Sequence, residues 1–576
     1  MNKKEEKSEF ISFDNERIFY RKWSDKNWNK KVVILLHRGH EHSKRLEEIA
    51  KDKQVNGYIV YSYDVRGHGH TKVKATYEFM DLVRDLNAFV NFICKENKIS
   101  QEQIFIIANS VAGVVASTWI HDYAPRISGV ALVAPAFKIK LYFPFAKEFL
   151  NLAVKFKADL NIKSYVKAKF LTKDPVEQQK YKDDKLITPD IPAKQLITLL
   201  DTAKRVVNDA NLISCPTLVL SAQKDYVVDD KIQGDFYTNL SSKTKKFVPL
   251  KNSYHGVLYD LDKGIALNEI FTFMEKCFTL KKKDYLSKKV IITENEKSKI
   301  LFGTTSFINT ISYYIQKKLM HKLGFMSEGM SIGLKYGFDS GVTLDYVYEN
   351  KAKGKSFIGK AIDKNYLNSI GWQGIRQRKI NMQELLSSKI EKLIKENKEV
   401  KILDIAGGPA RYLIEIAKQF PQVEILVQDY QVQNIEKGKK LALENDLINI
   451  NYKQADAFDK KTYKNLDFTP NIVIISGVFE LFGDNKLINK AIAGISSIIQ
   501  DNSYLLYTGQ PWHPQLEQIA NVLGNHQQEK WVMRRRSQYE LDSLFEKANF
   551  KKENMLIDNW GIFTVSSSKF KRKNAK

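Results

Sequence analysis

Along the chain, short apolar runs alternate with longer stretches whose apolar residues recur at helical spacing, first in the N-terminal half and again beyond residue 400. Val32 to Leu36, Gly57 to Asp64 and Ile104 to Ala108 predict three strands. A helix over Tyr77–Glu96 precedes the third, with Leu82, Leu86, Phe89, Val90 and Ile93 on one face. Runs at 216–225 and 247–254 predict two more strands, and Ile265 to Phe278 a helix. The rhythm resumes with a strand at Lys401–Ile405, a helix from Arg411 to Lys418, and strands at Val423–Asp429, Tyr452–Phe458, Asn471–Gly477 and Ser503–Gln510. Asn554–Ile557 and Gly561–Ser566 predict a closing hairpin. Both regions therefore read as α/β, each an open, mostly parallel sheet with its working groups at the carboxyl ends of its strands.

Between them, Phe307, Ile311, Ile315, Leu319 and Leu323 recur every fourth residue beside Lys317, Lys318 and Lys322, an amphipathic helix that bridges the two domains or lies on a membrane. A chain of 576 residues exceeds a single core. The expected division is a first domain over 1–280 with a cap at about 138–205, a charged linker and bridging helix over 281–332, and a second domain over 333–568. That second domain has a substrate cover at 333–395 and its sheet at 400–566, and a basic tail follows at 569–576.

Lys and Arg number 91 against 66 Asp and Glu, a net charge of +25 that favours anionic partners; because the lysines are spread along the chain, nucleic acid is not the expected one. Peripheral contact with an anionic membrane is more compatible with the aromatic and cationic stretch from Lys138 to Lys173. Cys94, Cys215 and Cys277 lie too far apart for a disulfide framework or a zinc site, and the start lacks the apolar core of a signal peptide. A cytoplasmic protein, at most peripheral to the inner face of the membrane, is expected. Five of ten histidines fall between His37 and His70, but in loops and without metal-ligand spacing, so no metal is assigned.

The first three strands run into His37-Arg-Gly-His-Glu-His-Ser43, Asp64-Val-Arg-Gly-His-Gly69 and Ala108-Asn-Ser110-Val-Ala112. The first two, H-x-x-x-E-H-S and D-x-R-G-H-G, resemble the alpha/beta-hydrolase fold and within it the monoacylglycerol lipase and lysophospholipase-like group. That resemblance implies Ser110 as nucleophile, His255 as the base that takes its proton, and Asp225 as the group that orients the imidazole. An oxyanion hole would come from the backbone of Val111 and of Arg38 or Gly39. Ala108 and Ala112 stand where the elbow usually has glycine, which predicts a strained turn, and Arg38 replaces another glycine, which predicts a narrower hole.

In the second domain, Asp404 precedes a Gly407-Gly408 turn, an order that suits a cationic, amine-bearing nucleoside better than a pyrophosphate. Asp404, Ala406, Gly408 and Ala410 resemble the D-x-G-x-G-x-G pattern of class I methyltransferases. The resemblance implies S-adenosyl-L-methionine (SAM) as cofactor. It would be held by Asp404, Ala406, Gly407 and Gly408, by Asp429 and Tyr430 at the ribose, by Asp456 and Ala457 at the adenine, and by Ser476 and Gly477 beside the transferred methyl. Candidate acceptor-site residues are Tyr346, Tyr348 and Trp372 as aromatic walls, His513, and Arg534 and Arg535 as anion grips. Phe479-Glu-Leu-Phe482 replaces the turn of DNA-base methyltransferases. Hydrolase followed by methyltransferase resembles a family of bacterial bifunctional proteins. The expectation is an ester hydrolase joined to a methyltransferase with small or lipid-derived acceptors; a second reading makes residues 1–280 a catalytically silent lipid-binding module.

Overall fold

Strands buried on both faces need helices on both sides, and in the N-terminal half β3 (Val32–Leu36), β5 (Ile104–Asn109) and β9 (Thr217–Ala222) bury every residue. The computed structural model describes residues 3–572 except 25, 74, 75, 281–285 and 465. It divides into two units, Met1–Tyr285 and Leu286–Lys576.

In the first unit, β1 (Lys4–Ile11), β2 (Arg17–Ser24), β4 (Ile59–Tyr63), β6 (Gly129–Val133) and β10 (Lys245–Leu250) complete an eight-stranded sheet in the order β1-β2-β4-β3-β5-β6-β9-β10. It is parallel from β4 to β10, and β1 and β2 extend it antiparallel. Of these strands β1, β2 and β6 are not among the expected ones; for β1 the reason is physical, since Lys-Glu-Glu-Lys-Ser-Glu carries no apolar alternation, and in this edge strand only Phe10 is buried. The helices Phe79–Asn97 and Val111–Tyr123 pack on each other, and Lys263–Thr279 packs against β6 in a core with Phe105, Ala131 and Leu218. A cap follows β6, built from the helices Ala146–Phe156, Ala168–Leu171, Pro175–Asp183 and Ala193–Asn208 and the antiparallel pair β7 (Asn161–Lys163) and β8 (Asp190–Pro192). This unit has the alpha/beta-hydrolase fold.

The second unit contains β11 (Lys401–Ile405), β12 (Glu424–Asp429), β13 (Ile450–Gln454), β14 (Ile472–Ile475), β15 (Tyr504–Gly509), β16 (Phe550–Ile557) and β17 (Thr564–Phe570), in the order β13-β12-β11-β14-β15-β17-β16. Five strands are parallel, and β17 and β16 close the sheet antiparallel, the Rossmann-like arrangement of class I methyltransferases.

Two boundaries differ from expectation. The stretch expected as a linker belongs, from Leu286 on, to the second unit. Its helix Leu286–Phe302 packs on the helix Gln538–Lys547, and Arg534 Nη2 donates to Thr293 Oγ1 at 2.8 Å. The residues of the charged boundary at 281–285 lie outside the described residues. The basic tail begins later than expected, because Phe570 is buried against Phe550 and finishes β17; residues 573–576 lie outside the described residues. The amphipathic helix forms at Phe307–Leu323, but only Met320 is buried on it, and the expected stripe of Phe307, Ile311, Ile315, Leu319 and Leu323 remains 40 to 78 % exposed. No helix among the described residues is long and apolar enough to cross a membrane.

Candidate functional site

The strand β5 runs directly into the helix Val111–Tyr123, and the residue between them, Ser110, takes φ 56° and ψ −115°. A serine held there is strained, and the strain lifts its hydroxyl above the sheet edge. Ser110 Oγ donates to His255 Nε2 at 2.8 Å, and His255 Nδ1 donates to Asp225 Oδ2 at 2.7 Å. Asp225 Oδ1 accepts from the backbone N–H of Val227 (2.7 Å) and Val228 (2.9 Å), so the carboxylate that orients the ring is itself oriented. All three side chains are buried. The two alanine flanks are accommodated: Ala108 sits in the core, Ala112 lines the cavity, and the tight approach falls instead at Gly113, where a methyl group would meet Pro135 Cβ at 2.8 Å.

A methyl group added at Gly39 would meet Val111 Cγ2 at 3.4 Å, so the two segments expected to supply the oxyanion hole face each other. The Arg38 side chain turns aside. Its Nη2 donates to Glu41 at 2.8 Å, and its guanidinium lies between the Tyr181 and Tyr259 rings, at 5.5 and 5.3 Å. These groups open into a cavity of about 1150 Å³ with walls from Leu150, Phe149, Tyr165 and Leu199 of the cap. The clustered histidines hold loops: His37 accepts from Val65 N at 3.0 Å, His40 Nδ1 donates to Thr188 O, and His42 pairs with Asp184.

In the second unit β11 delivers Asp404 to the sheet edge, fully buried. Tyr412 donates to its Oδ2 at 2.6 Å, while its Oδ1 has no hydrogen-bond partner. Burial pushes this carboxyl up to about 8; the Tyr412 hydroxyl lowers it and the Asp429 charge raises it further. A methyl group at Gly407 would strike Asp404 Oδ2 at 2.3 Å, so this turn requires glycine. Asp429, at the end of β12, accepts from the N–H of Gly408 and of Gln431 and from Asn434 Nδ2, each at 2.9 Å. Tyr430 is exposed, Asp456 Oδ1 accepts from Phe458 N at 2.8 Å, Ala457 is buried, Ser476 is half-buried after β14, and Gly477 N donates to Thr508 Oγ1 at 2.8 Å. An unpaired buried carboxylate oxygen beside a close-approach glycine fits an amine-bearing, cationic ligand.

Ala406 and Ala410, the two departures from the glycine pattern, both hold left-handed backbone, at φ 56° and 52°. Ala406→Gly or Ala410→Gly is therefore expected to raise stability by about 0.5–1 kcal/mol, relief of strain outweighing added chain entropy. Thermal melts of the single variants check this; unchanged or lower midpoints for both count against strain at the turn.

The acceptor-site candidates divide. Trp372 and His513 line a cavity of about 530 Å³ beside Gly477. Tyr348 lies half-buried against Arg378, which also lines it. Tyr346 does not reach it: its hydroxyl donates to Asp363 in the helical core. Arg534 and Arg535 are not free to grip an anion. Arg534 is fully buried, pairing with Glu540 at 2.7 Å, and Arg535 pairs with Glu296 at 2.5 Å and Pro511 O at 3.0 Å. Three adjacent arginines in sequence carry no sign of such internal partners, and a buried guanidinium demands them. Sequence reasoning did not mark Arg378, Glu480 or Gln510 as site residues, although Glu480 lies in Phe479-Glu-Leu-Phe482 and Gln510 at the end of the fifth strand; a helix, a turn and a strand exit bring the three together to line the cavity.

Fold and site together define a chain with a serine-hydrolase-type unit followed by a methyltransferase-type unit. A family profile described as "Putative methyltransferase" matches residues 270–570, and one described as serine aminopeptidase, S33, matches residues 28–262. The chain belongs to that methyltransferase family and carries a hydrolase-fold domain fused in front of it. It is 38% identical over 567 residues to the uncharacterized protein YnbC of Escherichia coli (strain K12), covering 97% of each chain. Its first half is 22% identical over 261 residues to human monoglyceride lipase, covering 42% of this chain and 82% of that one. Among solved structures, the monoacylglycerol lipase of Paleococcus ferrophilus matches at a TM-score of 0.41 and 20% identity, covering 45% of this chain and 99% of that one.

Proposed function

We propose that the chain is a bifunctional enzyme, a serine ester hydrolase acting on a lipid or related acyl ester joined to a SAM-dependent methyltransferase acting on a small or lipid-derived acceptor. The observation that carries this reading is that both sheets gather polar, chemically suited groups at the carboxyl ends of their parallel strands, where open α/β sheets bind ligands.

In the first unit Ser110 would attack the ester carbonyl as His255 takes its proton; Asp225 holds the N–H on Nδ1 and stabilises the charged ring. The N–H groups of Val111 and Gly39 would receive the oxyanion. The monoglyceride lipases among the relatives support an acyl-glycerol-like substrate, and the apolar cap walls suit its chain. Phe145 and Phe156 stand exposed on the cap, and exposed Lys155 and Lys157 flank Phe156 in the sequence, which supports peripheral contact with an anionic lipid surface.

In the second unit Asp404 and the Gly407-Gly408 turn would hold the amine-bearing end of SAM, Asp429 its ribose and Asp456 its adenine. The bound donor supplies a methyl group on a sulfonium. What the chain contributes is alignment: Gly477 and Arg378 border the place where an acceptor must wait.

Two readouts test the proposal: turnover of a short acyl ester by the intact chain, and calorimetric binding of SAM. Asp429→Ala should weaken SAM about tenfold, the scale of a lost charged hydrogen bond. An affinity equal to wild type would remove Asp429 from the site, and absence of both activities would end the two-enzyme account.

A further inference from the structure

The cavity beside Gly477 is apolar over most of its wall, yet it gathers an unusual set of polar atoms. Arg378 is 3 % exposed and its Nε has no partner; the rest of its guanidinium meets Glu480 Oε1 at 3.3 Å, the Tyr348 hydroxyl and the Phe563 ring. Gln510 is 2 % exposed with both ends of its amide unpaired, and Trp531 Nε1 is also unpaired. His513 Nδ1 accepts from Gln515 N at 3.1 Å, which places the proton of the neutral ring on Nε2. Arg378, Gln510 and Trp531 thus each bring an unpaired buried N–H to the residues lining the cavity, with the unpaired Tyr366 hydroxyl and one amide oxygen beside them, and buried donors left unpaired are costly; His513 adds its Nε2 hydrogen. Of the two acids on the wall, Asp339 is held by His526 and Glu480 lies against Arg378.

We infer that this cavity takes an amphipathic carboxylate, its head on the donors of Arg378, Gln510, Trp531 and His513 and its chain along the apolar wall, as the methyl acceptor. This rests on the SAM-dependent reading of the second unit. The wall continues outward: Leu319 and Leu323 border the cavity and end the exposed apolar stripe that starts at Phe307, a path for a chain to enter.

The chemistry agrees with what the site lacks. Burial lowers His513 to about 4, which makes it a weak base. An alcohol or amine acceptor has a proton to lose; a carboxylate at neutral pH has none. Its oxygen lone pair forms the O–C bond as the C–S bond breaks, the electron pair of that bond stays on sulfur, and anion and sulfonium become a neutral ester and a neutral thioether. Ester hydrolysis, the reaction proposed for the first unit, is the class of reaction that releases such an acid.

The test uses the full chain carrying Ser110→Ala, so that no ester is cut, and a diazirine analogue of palmitate cross-linked by light and mapped by mass spectrometry. Labelling is expected on the peptides of Leu319–Leu323, Trp372–Ile375 or Trp531–Met533. Palmitate should displace it at about tenfold lower concentration than hexadecanol. Arg378→Gln should abolish that preference and Gln510→Leu reduce it, each with a thermal melt to establish folding. With methyl-labelled SAM, labelled methyl palmitate should form. Hexadecanol or hexadecyl phosphate competing as well as palmitate, or a preference unchanged in both folded variants, overturns the inference. Calorimetry separates the two readings: SAM bound without this labelling pattern defeats the carboxylate site alone, whereas the pattern without SAM binding upholds the site and defeats the methyl donor.

Discussion

Replacing Ser110 by alanine is expected to lower ester hydrolysis by about 10⁴-fold or more, the scale on which a nucleophile acting in concert with its base contributes. The expectation follows from the hydrogen-bonded line Ser110–His255–Asp225, whose two links measure 2.8 and 2.7 Å. The φ of 56° that presents the Ser110 hydroxyl to His255 belongs to the elbow itself. A serine-directed fluorophosphonate should label wild type and fail to label Ser110→Ala. If wild type resists the probe while still binding lipid, the first unit is a binding module and the triad geometry is a relic.

The second large effect concerns pH. Asp404 titrates near 8 because burial disfavours its charge. It is therefore mostly protonated at pH 6 and mostly charged above 8. A cationic ligand that needs the anion must first displace the proton, so SAM affinity should rise by up to about tenfold per pH unit between 6 and 8 and then level off. Binding should release close to one proton at pH 7, read by calorimetry in buffers of different ionisation enthalpy. The same linkage acts on the ligand-free chain: a carboxyl raised by folding holds its proton in the folded state, so its contribution to stability falls as pH climbs from about 4 toward 8. Asp404→Asn should flatten both profiles. A SAM affinity independent of pH in wild type would show that Asp404 does not meet the cation.

The strand ends were the readable part of both sites. Asp404, Asp429 and Gly477 follow apolar runs, and Ser110, Asp225 and His255 sit where such runs break into small or polar residues; a buried parallel strand must announce itself by unbroken apolarity. Arg378 was not readable, because it lies in the 26-residue helix Ile370–Lys395 among other cations and differs from them only in what surrounds it. Arg534 misled for the converse reason: in sequence it resembles a surface grip, and its partners Glu540 and Thr293 come from segments before and after it. The stripe on Phe307–Leu323 has the right spacing for burial, yet spacing says only that one face is apolar, not that anything covers it.

By itself, the order of residues determined two α/β units, most of their parallel strands and the groups at the strand exits, because periodicity, turn chemistry and short motifs are local properties of the chain. Only the tertiary structure decided which charges are spent on internal pairs and which face a cavity. That outcome depends on what packs within a few ångströms from distant segments, and it turned Arg378 and Gln510 into site residues while it withdrew Arg534, Arg535 and Tyr346.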